Sequence, residues 1–84
     1  MTGYHTKEIK KGVVGEASKI VEEVEEFMDA VQQDASIMAL FELTDLYGAI
    51  REYLIRHHPG TTMADLEKQA DITKRVFVNG HRRP

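Results

Sequence analysis

Apolar residues recur at helical spacing in three stretches of this chain. In the first, Ile20, Val21, Val24, Phe27, Met28 and Val31 follow the i, i+3, i+4, i+7 pattern of an amphipathic helix. The pattern predicts helix one over about Glu16 to Gln33, opening at Gly15-Glu16-Ala17-Ser18. Asp34-Ala35-Ser36 reads as a short break, with Asp34 or Ser36 suited to cap the next helix.

Helix two is predicted over about Ile37 to Arg56 and differs in kind. Ile37, Met38, Leu40, Phe41, Leu43, Leu46, Tyr47, Ile50, Tyr53, Leu54 and Ile55 point in nearly all directions on a helical wheel. A helix apolar all round is buried on most sides. With only two other elements available, that implies partner subunits, and Gly48-Ala49 offers a place for close backbone approach. His57-His58-Pro59-Gly60 ends the helix. Thr62-Met63-Ala64-Asp65 resembles a capping box for helix three, over about Met63 to Val78. Leu66, Ala70, Thr73 and Phe77, helped by Met63 and Val76, form its expected buried stripe, and Asn79-Gly80 its stop. Residues 1–15 lack helical periodicity, and Lys7 to Val14 read as irregular or as a short strand.

The expected architecture is all-α. A single domain spans residues 1–84: an irregular or short extended arm over 1–15, helices over 16–78 and a basic tail over 79–84. A chain of 84 residues has a marginal core unless something is added. The absence of cysteine removes disulfides and thiolate metal sites, which leaves oligomerisation as the leading way to extend the core. The expected assembly is a helical-bundle dimer, pairing again to a tetramer. A net charge of −3 argues against a nucleic-acid binder, which needs a basic face. No long apolar run or signal-like segment is present, so no membrane partner and a cytoplasmic location are expected.

The candidate chemistry lies in two acidic pairs, Glu23 and Glu26, then Glu42 and Asp45. Three residues is nearly one helical turn, so each pair shares a helix side. If helices one and two form an antiparallel hairpin about residues 34–35, Glu26 and Glu42 each lie about eight residues from the turn. Glu23 and Asp45 each lie about eleven away. At about 1.5 Å of rise per residue the pairs are level, and four carboxylates converge. Such a set suits a hard divalent cation. Helix one alone would pass for a solvated acidic face. Glu42 and Asp45 sharpen the case, because unpaired carboxylates are costly on an otherwise apolar helix.

Over about residues 19–56 the chain resembles the MazG-like, all-α nucleoside triphosphate pyrophosphohydrolases, in the short form often carried by phages. The carriers are Glu22-Glu23-Val24-Glu25-Glu26 and, after a fifteen-residue spacer, Glu42-Leu43-Thr44-Asp45. The flanks Phe27-Met28-Asp29-Ala30-Val31 and Leu46-Tyr47-Gly48-Ala49-Ile50 are similar too. The resemblance implies Mg²⁺ on Glu23, Glu26, Glu42 and Asp45, with Mn²⁺ able to substitute. Glu22 and Glu23 are the implied catalytic acids, Glu22 orienting or deprotonating the attacking water. The implied reaction hydrolyses a (deoxy)nucleoside triphosphate to the monophosphate and pyrophosphate, in nucleotide-pool control. Purine (dGTP) cleavage is one option within it.

Lys19, one turn before Glu23, is the first candidate phosphate ligand, set against a plain ion pair with Glu23. Lys74, Arg75, Arg82 and Arg83 are weaker ones. Phe41, Tyr47 and Tyr53 could stack on a base, though at helical spacing each is more often core. Competing readings are a phosphoribosyl-ATP-type pyrophosphohydrolase and a non-catalytic helical dimerisation module. A di-iron bundle needs Glu-x-x-His pairs, and no histidine follows Glu23, Glu26 or Glu42 at that spacing.

Overall fold

The periodic stretches fold as three helices. The computed structural model describes residues 4–78, and for residues 75–78 the backbone only. α1 spans Ala17–Gln32, α2 Ser36–His57 and α3 Met63–Val78. The protein is all-α, and the strand considered for Lys7 to Val14 does not form. The tail and the stop at Asn79-Gly80 lie outside the described residues.

The α1–α2 turn works differently from the expected capping. Asp34 adopts a left-handed conformation, φ 61°, which short polar side chains tolerate better than most. It turns the chain so that the Ala35 N–H donates to the Ala30 carbonyl at 3.0 Å. α2 then starts after Ala35 with no side-chain cap. The Thr62–Asp65 box forms as expected. The Thr62 N–H donates to Asp65 Oδ2 at 2.8 Å, and the Asp65 N–H to Thr62 Oγ1 at 3.2 Å.

α1 and α2 pack along their length as an antiparallel hairpin, and α3 makes only slight contact with either. Exposed pairs tie the end of α2 to the start of α1, with Glu16 reaching Arg56 and His57 at 3.1 Å each. The radius of gyration is 15.2 Å, against about 12 Å for a compact chain of this length. α3 therefore stands away from the hairpin, and the described part of its expected stripe is not buried: Leu66 and Ala70 are exposed, and Met63 and Thr73 only half-buried, while the Val76 and Phe77 side chains lie outside the described residues.

The hairpin interior is polar. Its buried apolar residues are only Ala30, Ala49 and Leu54, whereas Glu22, Glu23, Asp29 and Glu42 are all buried. The apolar stripe of α1 faces outward instead, with Val21, Val24, Met28 and Val31 40–54% exposed. On α2, Ile37, Leu40, Phe41 and Tyr47 are likewise at least half exposed. α1 thus turns its acidic side, not its apolar one, toward α2.

The arm, residues 4–15, lies over one edge of the hairpin. At Gly12 a side-chain carbon would overlap the Ser18 carbonyl, so only glycine allows this close approach. The approach lets the Gly12 N–H donate to Glu22 Oε1 at 2.8 Å and the Val13 N–H to Ser18 Oγ at 3.0 Å. Gly12→Ala is expected to lift the arm. Overpacking of about 1–2 kcal/mol should cost the Val13 and Thr6 amides roughly tenfold of their hydrogen-exchange protection, with α1 helicity unchanged. Unaltered protection would show that the arm does not depend on this contact.

Candidate metal centre

Glu22, Glu23, Glu26 and Asp29 recur along the side of α1 that meets α2 and the arm. Glu42 and Asp45 answer them from α2. One carboxylate oxygen from each of Glu23, Glu26, Glu42 and Asp45 lies within 4.8 Å of the others. The hairpin therefore brings together the four residues that spacing placed level. Asp45 is exposed, and through it the cluster opens to solvent.

The buried acids differ in how they are compensated. Asp29 is fully inaccessible and saturated with donors. Thr6 donates through its hydroxyl at 2.6 Å and its N–H at 3.1 Å, Gln33 Nε2 at 3.0 Å, and His5 Nδ1 lies at 2.8 Å. The Thr6 hydroxyl first, with His5, the Thr6 N–H and Gln33, overrides burial and holds its carboxyl well below the usual carboxylate range. Glu22 is similar. Burial alone would raise it, but the Gly12 N–H, Lys19 and Lys11 together keep it low.

The cluster acids are poorly compensated. Glu23 Oε1 and Glu42 Oε1 are buried with no hydrogen-bond partner among the described residues. Burial, then the Glu23 charge and a hydrogen bond shared with Glu23, push the Glu26 carboxyl up to about 7, with Glu42 adding to the effect. Asp45 is also raised, by burial and by Glu23 and Glu42. Tyr4 donates to Glu42 Oε2, and burial together with that bond raises its phenol. The cation bridged to this set from α1 is Lys19, whose Nζ lies 3.1 Å from Glu22 Oε1 and 3.3 Å from Glu23 Oε2. Burial works against its charge, but the bonds to Glu22 and Glu23 outweigh it and raise its pKa. The ion pair weighed for Lys19 is therefore present.

A cleft of about 380 Å³ adjoins the cluster, lined by Lys19, Glu23, Thr44, Asp45, Gly48 and Arg51 among others. No atom approaches a side-chain position at Gly48, which leaves the cleft floor open. Lys74 is exposed on α3 and lines no part of it. The Arg75 side chain, Arg82 and Arg83 lie outside the described residues. Phe41 is exposed, Tyr47 sits under Arg51 at 5.8 Å, and Tyr53 stacks on His57 at 4.6 Å. Glu22 faces the arm and, among the described residues, joins no group placed to ligate a metal. With its oxygens engaged by Gly12, Lys19 and Lys11, it anchors the arm and Lys19 rather than standing free for water.

Tyr4, His5 and Thr6 entered no reading of the sequence, and Asp29 only as a flank of the first acidic motif with no role of its own, yet all four border the cluster. The signal for Asp29 was present: it lies three residues after Glu26 and seven after Glu22, on the same helical side. The arm residues carry no periodicity and gave no such signal. Comparison with protein-family models, curated proteins and solved structures found no match. Fold and site together define the class: an all-α hairpin built around a carboxylate cluster.

The raised Glu26 carboxyl fixes the sign of a pH effect. Its folded pKa lies above its ordinary value, so the folded state is penalised as pH rises from about 4.5 through 7. Glu26→Gln cannot ionise. In the presence of a chelator, its stability relative to the wild type should increase between about pH 5 and pH 8, measured by urea unfolding. A difference that stays constant or shrinks would contradict the crowding of charge at Glu26.

Proposed function

We propose that the chain is a divalent-cation-dependent pyrophosphohydrolase of (deoxy)nucleoside triphosphates. One observation carries the reading: four carboxylates converge beside an open cleft, and two of their oxygens are buried with no donor among the described residues. The donor set fits Mg²⁺ or Mn²⁺, which take oxygen ligands and would neutralise the crowded charge. Glu23, Glu26, Glu42 and Asp45 would hold the cation. When bound, it supplies charge neutralisation on the phosphates and acidification of water.

The chain's own groups then have separate tasks. Lys19 and Arg51 flank the cleft and bind phosphate oxygens as point charge and planar fork. Glu23 Oε1 has no donor, and it accepts the proton of the attacking water. The water oxygen bonds to the α-phosphorus as the α–β bridging bond breaks. Monophosphate and pyrophosphate leave. Glu22 takes no proton; it holds Lys19 and the arm in place. The resemblance of the two acidic motifs to the MazG-like enzymes supports the same reaction.

Each NTP and dNTP, and phosphoribosyl-ATP, should be incubated with the protein and Mg²⁺. Pyrophosphate with the monophosphate is the expected product, and Glu42→Gln should lower turnover at least a hundredfold with helicity retained. Orthophosphate as product, or no turnover even with Mn²⁺, would sink the reading.

We infer also that a second copy covers the apolar faces. The outward stripes of α1 and α2 are too long for a stable isolated protomer. The dimerisation module considered from sequence would use the same faces, but it has no need of unpaired acids inside the hairpin. Sedimentation equilibrium should give a dimer or tetramer at micromolar concentration. Met28→Asp should shift it toward monomer with loss of helix, and a monomeric wild type would exclude this assembly.

A further inference from the structure

The arm carries an imidazole into the edge of the carboxylate cluster. The His5 side chain is 4% exposed. Its Nδ1 lies 2.8 Å from Asp29 Oδ2. The other groups on Asp29 are the Thr6 N–H, the Thr6 hydroxyl and the Gln33 amide, all acting as donors. Asp29 is thus an ionised acceptor, and the hydrogen between it and His5 belongs to Nδ1. In an uncharged ring, that assignment leaves the lone pair on Nε2.

Nε2 faces Glu42 Oε2 at 3.4 Å. This is longer than an ordinary hydrogen bond. It is close to the edge, about 3.4 Å, between two donors that share a tetrahedral ion at about 2.1 Å. One ligand atom from each of His5, Glu26 and Glu42 lies within 4.8 Å of the others. Glu42, its side chain 7% exposed, also has its buried Oε1 without a partner. An imidazole held through its far nitrogen by a carboxylate is the usual support of a metal-ligating histidine. A protonated His5 bridging Asp29 and Glu42 would explain the pairings but leave the buried Glu42 Oε1 without a donor among the described residues.

We propose that His5, Glu26 and Glu42 form a second divalent-metal position, one with a nitrogen ligand, and that Asp29 positions His5 for it. The position deepens the proposed function, since it shares Glu26 and Glu42 with the four-carboxylate centre. Its mixed donors favour Mn²⁺, Co²⁺ or Zn²⁺ over Mg²⁺, which prefers oxygen alone. Arm and hairpin then bind one ion jointly, and the metal holds the arm closed.

The test needs no nucleotide. Zn²⁺ is titrated into the full chain with nitrogen-15 on the histidines. The His5 Nε2 resonance should shift while Nδ1 stays protonated. Calorimetry should show Zn²⁺ and Co²⁺ affinity falling at least tenfold in His5→Gln and in Asp29→Asn. Mg²⁺ affinity should change less than twofold in His5→Gln and fall in Asp45→Asn, which keeps the His5 response to Zn²⁺. A His5 Nε2 resonance unmoved at saturating Zn²⁺ would overturn the proposal in the wild-type protein, whatever the variants do. A Zn²⁺ response at His5 without nucleotide turnover would support this site while removing the proposed reaction.

Discussion

Carboxylates occupy the space between α1 and α2 that apolar side chains would ordinarily fill, and everything else is arranged around their charge. Ionised groups cannot be taken from water without partners, because desolvation costs several kcal/mol per ion. The hairpin meets the demand in two ways. Asp29 and Glu22 are satisfied from within the chain, by donors from the arm, from Gln33 and from lysines. Glu23, Glu26, Glu42 and Asp45 are left to crowd one another, with Lys19 as bridged cation. The first pair is structural in effect. The second set holds unrelieved repulsion, which a bound cation of the proposed kind would remove.

Placing acids inside pushes the hydrophobic surface outside. A helix has one set of sides. Turning Glu22, Glu23, Glu26 and Asp29 inward leaves Val21, Val24, Met28 and Val31 in solvent. The same holds for Ile37, Leu40 and Phe41 on α2. The hairpin alone has little apolar burial to offset its conformational entropy. Site and proposed assembly are therefore linked: the geometry that gathers the carboxylates also creates the faces for a second copy.

The helices were legible because each kept its own local signals. The 3.6-residue period, the Thr62–Asp65 box and Pro59 act within a few residues, so α3 begins where the pattern placed it. The α1–α2 turn was less legible, because Asp34 acts through a left-handed backbone rather than as a cap. The convergence of Glu23, Glu26, Glu42 and Asp45 followed from counting residues either side of the turn, since rise per residue is nearly constant in a helix. The direction of α1's apolar stripe did not follow. Periodicity says that a helix has an apolar side, not which neighbour that side meets. The position of α3 was hidden for the same reason.

The arm was illegible for a different reason, and it decides what the acids do. Glu22 and Glu26 are the same residue type, four apart on one helix, yet one is held low and the other raised to about 7. Within α1, Lys19 pairs with Glu22 while the Glu23 charge crowds Glu26. The arm widens the difference with the Gly12 N–H and Lys11, supplied from ten or more positions upstream, which reach Glu22 and stop short of Glu26. Three residues on, the arm's His5 and Thr6 quench Asp29 in the same way. Between these two anchored acids the arm leaves Glu23 and Glu26 without donors of its own. An acidic helix becomes a graded set of paired and unpaired carboxylates because a non-periodic segment selects which of them it satisfies.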